Sequence, residues 1–237
     1  MVTGAYIRAW ADEHNVVDLL DVQDGRGYHS SYKNASIVSY VYDSAVLTLD
    51  LEKEYSRIES EGISAFSKIR NGEGLEEAEA RAAIAFLDMH LHRGRYADRA
   101  GVRVPALLVM TDGTTQQKEL LLGDMLPLAH QHPDTLRLTS LQLEEWTWQI
   151  YTTDSLYTGD GAVMLWRPDA DHDLTTITFP LSPTQLLVIG EDIPTDFNIN
   201  RAIMNNCRRW VVGQRGTLPI EQMNRIKRER QLKPNEG

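Results

Sequence analysis

The sequence predicts an α+β protein, predominantly helical, with one small antiparallel sheet and an N-terminal hairpin. Three observations carry this. Residues 147–189 hold four short runs rich in Trp, Tyr, Thr, Ile and Val, separated by turn residues. Ahead of them, residues 51–69 and 75–91 repeat apolar side chains three and four apart, the helical period. Behind them, residues 196–232 carry two further runs with that spacing. No Pro/Ser/Gly-rich linker and no internal repeat divides the chain, so one domain is expected over 1–237. Its parts are a hairpin at 5–23, a helical part at 50–145, a sheet at 147–190 and C-terminal helices at 196–232.

Residues 6–11 are apolar and aromatic, and Asp12-Glu13-His14-Asn15 turns the chain. Residues 16–22 then read as a return strand, which gives the hairpin. Residues 25–34 are polar and turn-rich, so His29, Tyr32 and Lys33 read as loop residues. Residues 37–42 fit a short helix or a strand equally well. Asp50 reads as the cap of a helix whose stripe is Leu51, Tyr55, Ile58, Gly62, Phe66 and Ile69, stopped by Asn71-Gly72. Glu52 and Glu59 border that stripe. A carboxylate at the edge of a buried face needs a partner, so a salt bridge to a neighbouring helix is the plain expectation.

A second helix spans 75–91, with Ala78, Ala82, Phe86 and Met89/His90 on one side. Past its end, Arg93, Arg95 and Arg99 gather with His90 and His92. Cations there complement the helix dipole. They also suit an anion clamp, since guanidinium groups match carboxylate or phosphate with paired hydrogen bonds. Antiparallel packing of the two helices would bring Glu59 to this cluster. Residues 105–110 are apolar. Residues 116–128 read as a helix with Leu120, Leu121 and Met125 inward. His130, His132 and Asp134 surround Pro133, a spacing found in metal sites but a weak signal in a loop. Residues 136–145 read as helical.

The four strand runs are 147–153, 162–166, 175–179 and 185–189. The turns between them are Thr158-Gly159-Asp160-Gly161, then 168–173, then 180–184. Connections this short predict a meander of neighbouring antiparallel strands. Thr195 and Asp196 then cap a helix running to about Val212, with Ile199, Ile203, Cys207 and Trp210 on one side. Cys207 has no accompanying Cys-His motif, and apolar neighbours raise a thiol pKa. Pro219 opens a last helix, with Ile220, Met223 and Ile226 inward and basic residues outward.

Composition sets the bounds. With 237 residues, 42% of them hydrophobic and 24% charged, the chain is ordinary for a folded protein. One cysteine excludes an internal disulfide and fits a reducing compartment. No membrane span is expected, and the opening MVTGAYIRAW lacks the regions of a signal peptide, so a cytoplasmic protein is expected. The net charge of −10 argues against broad nucleic-acid binding. Residues 201–237 nevertheless hold nine Lys or Arg against three Asp or Glu, net +6, leaving −16 for the rest. The basic segment 201–233 therefore packs on the acidic body, or meets nucleic acid or an acidic partner.

Several fragments stand in a recognisable order. Val2 precedes Tyr6-Ile7-x-x-Trp10-Ala11, and Leu51-Glu52 precedes Ser56-x-Ile58-Glu59. Arg93 and Arg99 follow the second helix. Trp146 precedes Thr152-Thr153-Asp154-Ser155-Leu156, then Phe179-Pro180-Leu181-Ser182-Pro183, then Asn200 and Arg209. This ordered set resembles the bacterial domain of unknown function 4238 (DUF4238) family over nearly the whole chain. The resemblance implies mixed α and β structure with helices preceding a small sheet, and it marks a set of polar positions. It implies no reaction. Thr3 stands where that family has the Pro of Val-Pro, and Ser155-Leu156 stands for Asn-Pro. The His pair that opens the family pattern has no counterpart here. If those histidines act, this chain is expected to lack that step or to be a binding-only form.

Three functions follow as expectations. The first is a hydrolase acting on a phosphoester or nucleotide through Glu59, Arg93, Arg99, Asp154 and Asn200. A carboxylate would serve as general base or hold a divalent metal, and the arginines would stabilise an anionic transition state. The alternative is a non-catalytic binding or regulatory module, using the basic segment or the aromatics Tyr28, Tyr32 and Tyr157. In the third, the same polar residues form a buried network that fixes the fold, with function residing in a homo-oligomer. No phosphate loop, dinucleotide fingerprint, zincin motif or paired C-x-x-C is present.

Overall fold

Two aromatic residues near the start of the chain set the frame. Tyr6, in the short helix α1 (Gly4–Ile7), and Trp10, in the 3-10 turn Arg8–Trp10, are almost fully buried. Tyr6 stacks on Phe179 at 4.9 Å and tilts against Phe86 and Trp10. Its hydroxyl donates to the Pro180 carbonyl at 2.6 Å and lies 2.7 Å from the Thr158 hydroxyl. The Trp10 indole donates to the Leu156 carbonyl at 2.7 Å. Both rings thus reach partners about 150 residues away without leaving a polar atom unpaired.

The computed structural model describes residues 4–35, 51–99, 101–109, 112–122, 136–169 and 171–224. The residue Asp50, the segment 37–42, the metal-like histidines His130 and His132 with Asp134, and the basic run 225–233 lie outside them.

An N-terminal hairpin is present, displaced from its expected position. Residues 4–10 are helical, and the hairpin pairs β1 (Val16–Asp21) with β2 (Arg26–Ser31). The second strand falls in the polar stretch read as a loop. Gly25, at φ 57°, makes the turn between them. The late strand β10 (Trp210–Gly213) adds antiparallel to the other side of β1, and β6 (Thr158–Gly159) adds to β10, giving the order β2-β1-β10-β6. The sheet thereby joins the chain's beginning to its end.

The two long helices match the apolar stripes. They are α2 (Leu51–Arg70), closed by Gly72 at φ 76°, and α3 (Glu77–Gly94). They run antiparallel: Lys68 pairs with Glu79 at one end, and Arg93 with Glu59 at the other. Gly62 lets α2 approach the Phe86 ring of α3 closely, where a Cβ would overlap the Phe86 side chain. Residues 138–140 and 143–145, read as one helix, are two 3-10 turns.

The predicted helix 116–128 is replaced, over its described part, by the strand β4 (Thr115–Leu121). It pairs along its whole length with β3 (Arg103–Val109). Seven cross-strand partners override the helical tendency of Gln, Lys, Glu and Leu.

The third sheet holds the four expected runs, namely β5 (Trp148–Thr152), β7 (Met164–Trp166), β8 (Thr176–Ser182) and β9 (Gln185–Gly190). Its order is β5-β9-β8-β7. The last three form a meander, while β5 joins at the β9 edge instead of neighbouring β7. Helix α4 (Ile199–Asn206) follows, capped by Asn198, whose side chain accepts the Arg201 N–H at 3.0 Å. It stops at Asn206, so Trp210 lies in β10 rather than on the helix. Pro219 does open helical backbone at 220–224.

The expectation of a predominantly helical chain is therefore overturned. The described residues are 34% helix and 28% strand, with three antiparallel sheets. The cause is local. Stretches with turn-like or helix-like composition, such as 26–31, 115–121 and 210–213, find strand partners elsewhere in the chain. One large core draws on Tyr6, Val17, Phe66, Phe86, Phe179 and Val212 together. No helix among the described residues is long and apolar enough to cross a membrane.

Candidate functional site

The residues named from the sequence fall into separate places. Glu59 and Arg93 do meet, as antiparallel packing of α2 and α3 requires. Arg93 Nη1 donates to Glu59 Oε1 at 2.8 Å, and the buried guanidinium lies 4.4 Å over the Tyr55 ring. A guanidinium held by a carboxylate, an aromatic face and the Met89 sulfur is a packed structural contact. Arg99 is exposed, with Asp98 as its carboxylate neighbour at 3.6 Å.

Asp154 is exposed on the loop after β5. Asn200 lies beside that loop: its amide donates to the Ser155 carbonyl at 2.9 Å and its oxygen accepts the Tyr157 N–H at 2.8 Å. Leu156 N–H adds a bond to the Pro183 carbonyl at 2.7 Å. Asn200 thus holds Ser155 in its left-handed conformation at φ 55°. Its amide therefore anchors backbone. Of the three aromatics in the binding-module expectation, Tyr28 is exposed and Tyr32 half-buried, while Tyr157 is half-buried and donates to the Thr217 carbonyl at 2.8 Å.

A different pair faces a cavity. Asp18 sits in β1 between Val17 and Leu19, fully buried, because β1 is the inner strand between β2 and β10. An ionisable group there must be paired. It accepts the Gly216 N–H at 2.8 Å and the Leu218 N–H at 3.2 Å, which fixes the turn after β10. Its remaining partner is His29, directly opposite on β2, with Nδ1 at 2.8 Å from Asp18 Oδ1.

The two residues of this pair differ in exposure. The Asp18 side chain is 1% exposed and the His29 side chain 54%. A buried carboxylate that accepts Nδ1–H leaves Nε2 as the acceptor nitrogen of this half-exposed ring. No described residue takes that nitrogen.

The ring forms part of the wall of a cavity of about 1170 Å³ that Asp18, Arg215, Gly216, Leu218 and Glu221 also line. The wall is braced. Asn224 bonds both ways to the Gly27 backbone, at 3.0 and 2.8 Å, and Ile220 packs on Gly27 too closely to admit a Cβ. Arg215 is half-exposed, its nearest carboxylate being Asp12 at 3.4 Å. The cavity therefore offers an oriented imidazole and a cation beside it. Among the described residues no group of three or more His, Cys, Asp or Glu is arranged to hold a metal ion.

The sequence carries one signal for this site. Asp18 interrupts the apolar run 16–20, where an acid must be satisfied from elsewhere. The polar, turn-rich composition of 25–34 predicts a loop and so conceals the register that places His29 opposite.

The family described as "Protein of unknown function (DUF4238)" matches residues 2–217. The match covers most of the chain, which therefore belongs to that family. Neither the curated proteins nor the solved structures compared with the chain contain a match.

Proposed function

From this family membership, which brings no activity with it, and from the Asp18–His29 pair, we propose that the protein is a hydrolase acting on a phosphoester or nucleotide. The observation that carries the reading is a half-exposed imidazole fixed by a fully buried carboxylate at the wall of a large cavity. His29 Nε2 takes a proton from water, whose oxygen attacks phosphorus. The bond to the leaving oxygen breaks, and that oxygen recovers the proton from the imidazolium. Arg215 offsets the charge that develops on the phosphoryl oxygens. Asp18 touches no substrate; it positions His29. The setting we assign is the bacterial cytosol, which suits a single buried thiol, Cys207.

The test is turnover of p-nitrophenyl phosphate, bis-p-nitrophenyl phosphate and common nucleotides by the intact chain and by His29→Gln. The substitution is expected to lower kcat roughly 100-fold or more, as loss of a general base does. Turnover that His29→Gln leaves unchanged, or no turnover of any phosphoester, would sink the hydrolase reading. A second reading then takes its place, a non-catalytic binding or regulatory module. What favours it is that Glu59, Arg93 and Asn200 are bound up in holding the fold together.

A further inference from the structure

A second cavity, of about 250 Å³, opens where the end of α3 meets the loop after β6 and the end of α4. Its polar wall is Arg95, Arg208, Asn206 and Asp160; Leu91, Val163 and Leu165 form the apolar remainder. The fold brings these residues together tightly. Gly94 lies against the Asp160 carbonyl and Gly161 against the Asn206 backbone, each too close for a Cβ.

The charges in this wall are unequally paired. Asp160 is buried, and its two oxygens accept the backbone N–H groups of Arg208, Arg209 and Trp210 at 3.0–3.4 Å. Its charge is thus met by backbone dipoles. Arg208 has one carboxylate neighbour, Asp98, at the long distance of 3.9 Å. Arg95 is half-buried and forms no ion pair or side-chain hydrogen bond with a described residue. Asn206 donates one N–H to the Gly161 carbonyl at 2.7 Å, and no described residue takes its side-chain oxygen. The wall therefore holds two guanidinium groups without a close carboxylate partner.

We propose that this cavity is a binding site for a small oxyanion ligand, a phosphate or carboxylate group carried on a short apolar body, held between Arg95 and Arg208. Guanidinium groups match such oxygens in paired hydrogen bonds, and partial burial strengthens each bond. Leu91, Val163 and Leu165 receive the apolar part. The site is independent of the Asp18–His29 cavity and of the hydrolase reading.

The experiment is isothermal titration calorimetry on the full chain with inorganic phosphate, acetate and butyrate, at constant ionic strength. Binding of phosphate or of a carboxylate is expected, and the anion that binds identifies the head group. Butyrate binding tighter than acetate would place the apolar body on the leucine side. Arg95→Gln and Arg208→Gln are each expected to weaken binding roughly tenfold, and the pair to abolish it. Each titration is repeated in Arg215→Gln, which removes phosphate heat belonging to the other cavity and is expected to leave the heat that depends on Arg95 in place. Arg95→Gln removes no described contact, so it carries the test if Arg208→Gln disturbs the fold. No heat with any of the three anions at millimolar concentration overturns the proposal. So does heat in the Arg215→Gln background that survives Arg95→Gln, or the loss of all heat on Arg215→Gln alone.

Discussion

Asp18 and Asp160 are both buried aspartates, and both hold the strand β10. Asp160 grips the backbone entering it, at 208–210, and Asp18 grips the backbone leaving it, at 216 and 218. They differ in what else they touch. Asp160 lies against backbone and the buried Cys207, and burial holds its pKa above the ordinary carboxylate value, an effect the backbone N–H bonds only partly offset. Asp18 has in addition a ring that reaches solvent. The same requirement, satisfying a buried acid, gives a purely structural clamp in one place. In the other it gives a clamp that also orients an imidazole. Burial alone therefore does not identify a site; the exposure of the partner does.

Substitutions can break this comparison. Asp160→Ala leaves three backbone donors without an acceptor and is expected to cost about 3–5 kcal/mol in urea unfolding, the largest effect. Asp18→Ala leaves two donors and a ring that water can satisfy, so about 2–4 kcal/mol is expected. If Asp18→Ala proves the costlier of the two, the division into clamp and oriented pair is wrong.

Acid sharpens the comparison on the Asp160 side. His90 is fully buried, its Nε2 at 2.9 Å from the Gly159 carbonyl, and burial lowers its pKa from the ordinary 6.5 to about 4. The fold thus favours the neutral ring. Between 6.5 and about 4 the unfolded chain binds a proton that the folded chain refuses, so stability falls as pH drops through that window. The loss is about 3 kcal/mol, complete below the lower value, and His90→Phe should flatten it in melts taken across this range. The smallest effect belongs to His29→Gln. Its stability change should stay within about 1 kcal/mol, since half-exposed pairs contribute little, even while turnover collapses. A large loss of stability would recast His29 as structural.

Much of the fold was legible where local signals agree with tertiary structure. The stripe from Tyr55 to Ile69 and the Thr-Ile-Thr-Phe alternation at 176–179 each specify their element unaided. The failures share a cause. Residues 115–121 read as helical by propensity, yet their hydrogen bonds go to 103–109. Trp210 continues a helical spacing from Ile199 and Ile203, but β1 takes it into a sheet. No window of neighbouring residues contains that information.

The site divides in the same way. Glu59 and Arg93 followed from helix packing, and the structure pairs them. Asp18 with His29 depended on a hairpin register that polar residues concealed. Asp160 with 208–210 depended on a contact across about 50 residues, which no spacing rule reaches.

The inner position of β10 has a consequence for synthesis. The ribosome delivers β1 early, but the strand that covers its open side is made almost 200 residues later. Until then the nascent chain carries Val17, Leu19 and Leu20 on an edge able to recruit foreign strands. Closure of the first sheet is thus postponed until β10 has been made, and a ribosome that stalls before Trp210 releases a chain prone to aggregate.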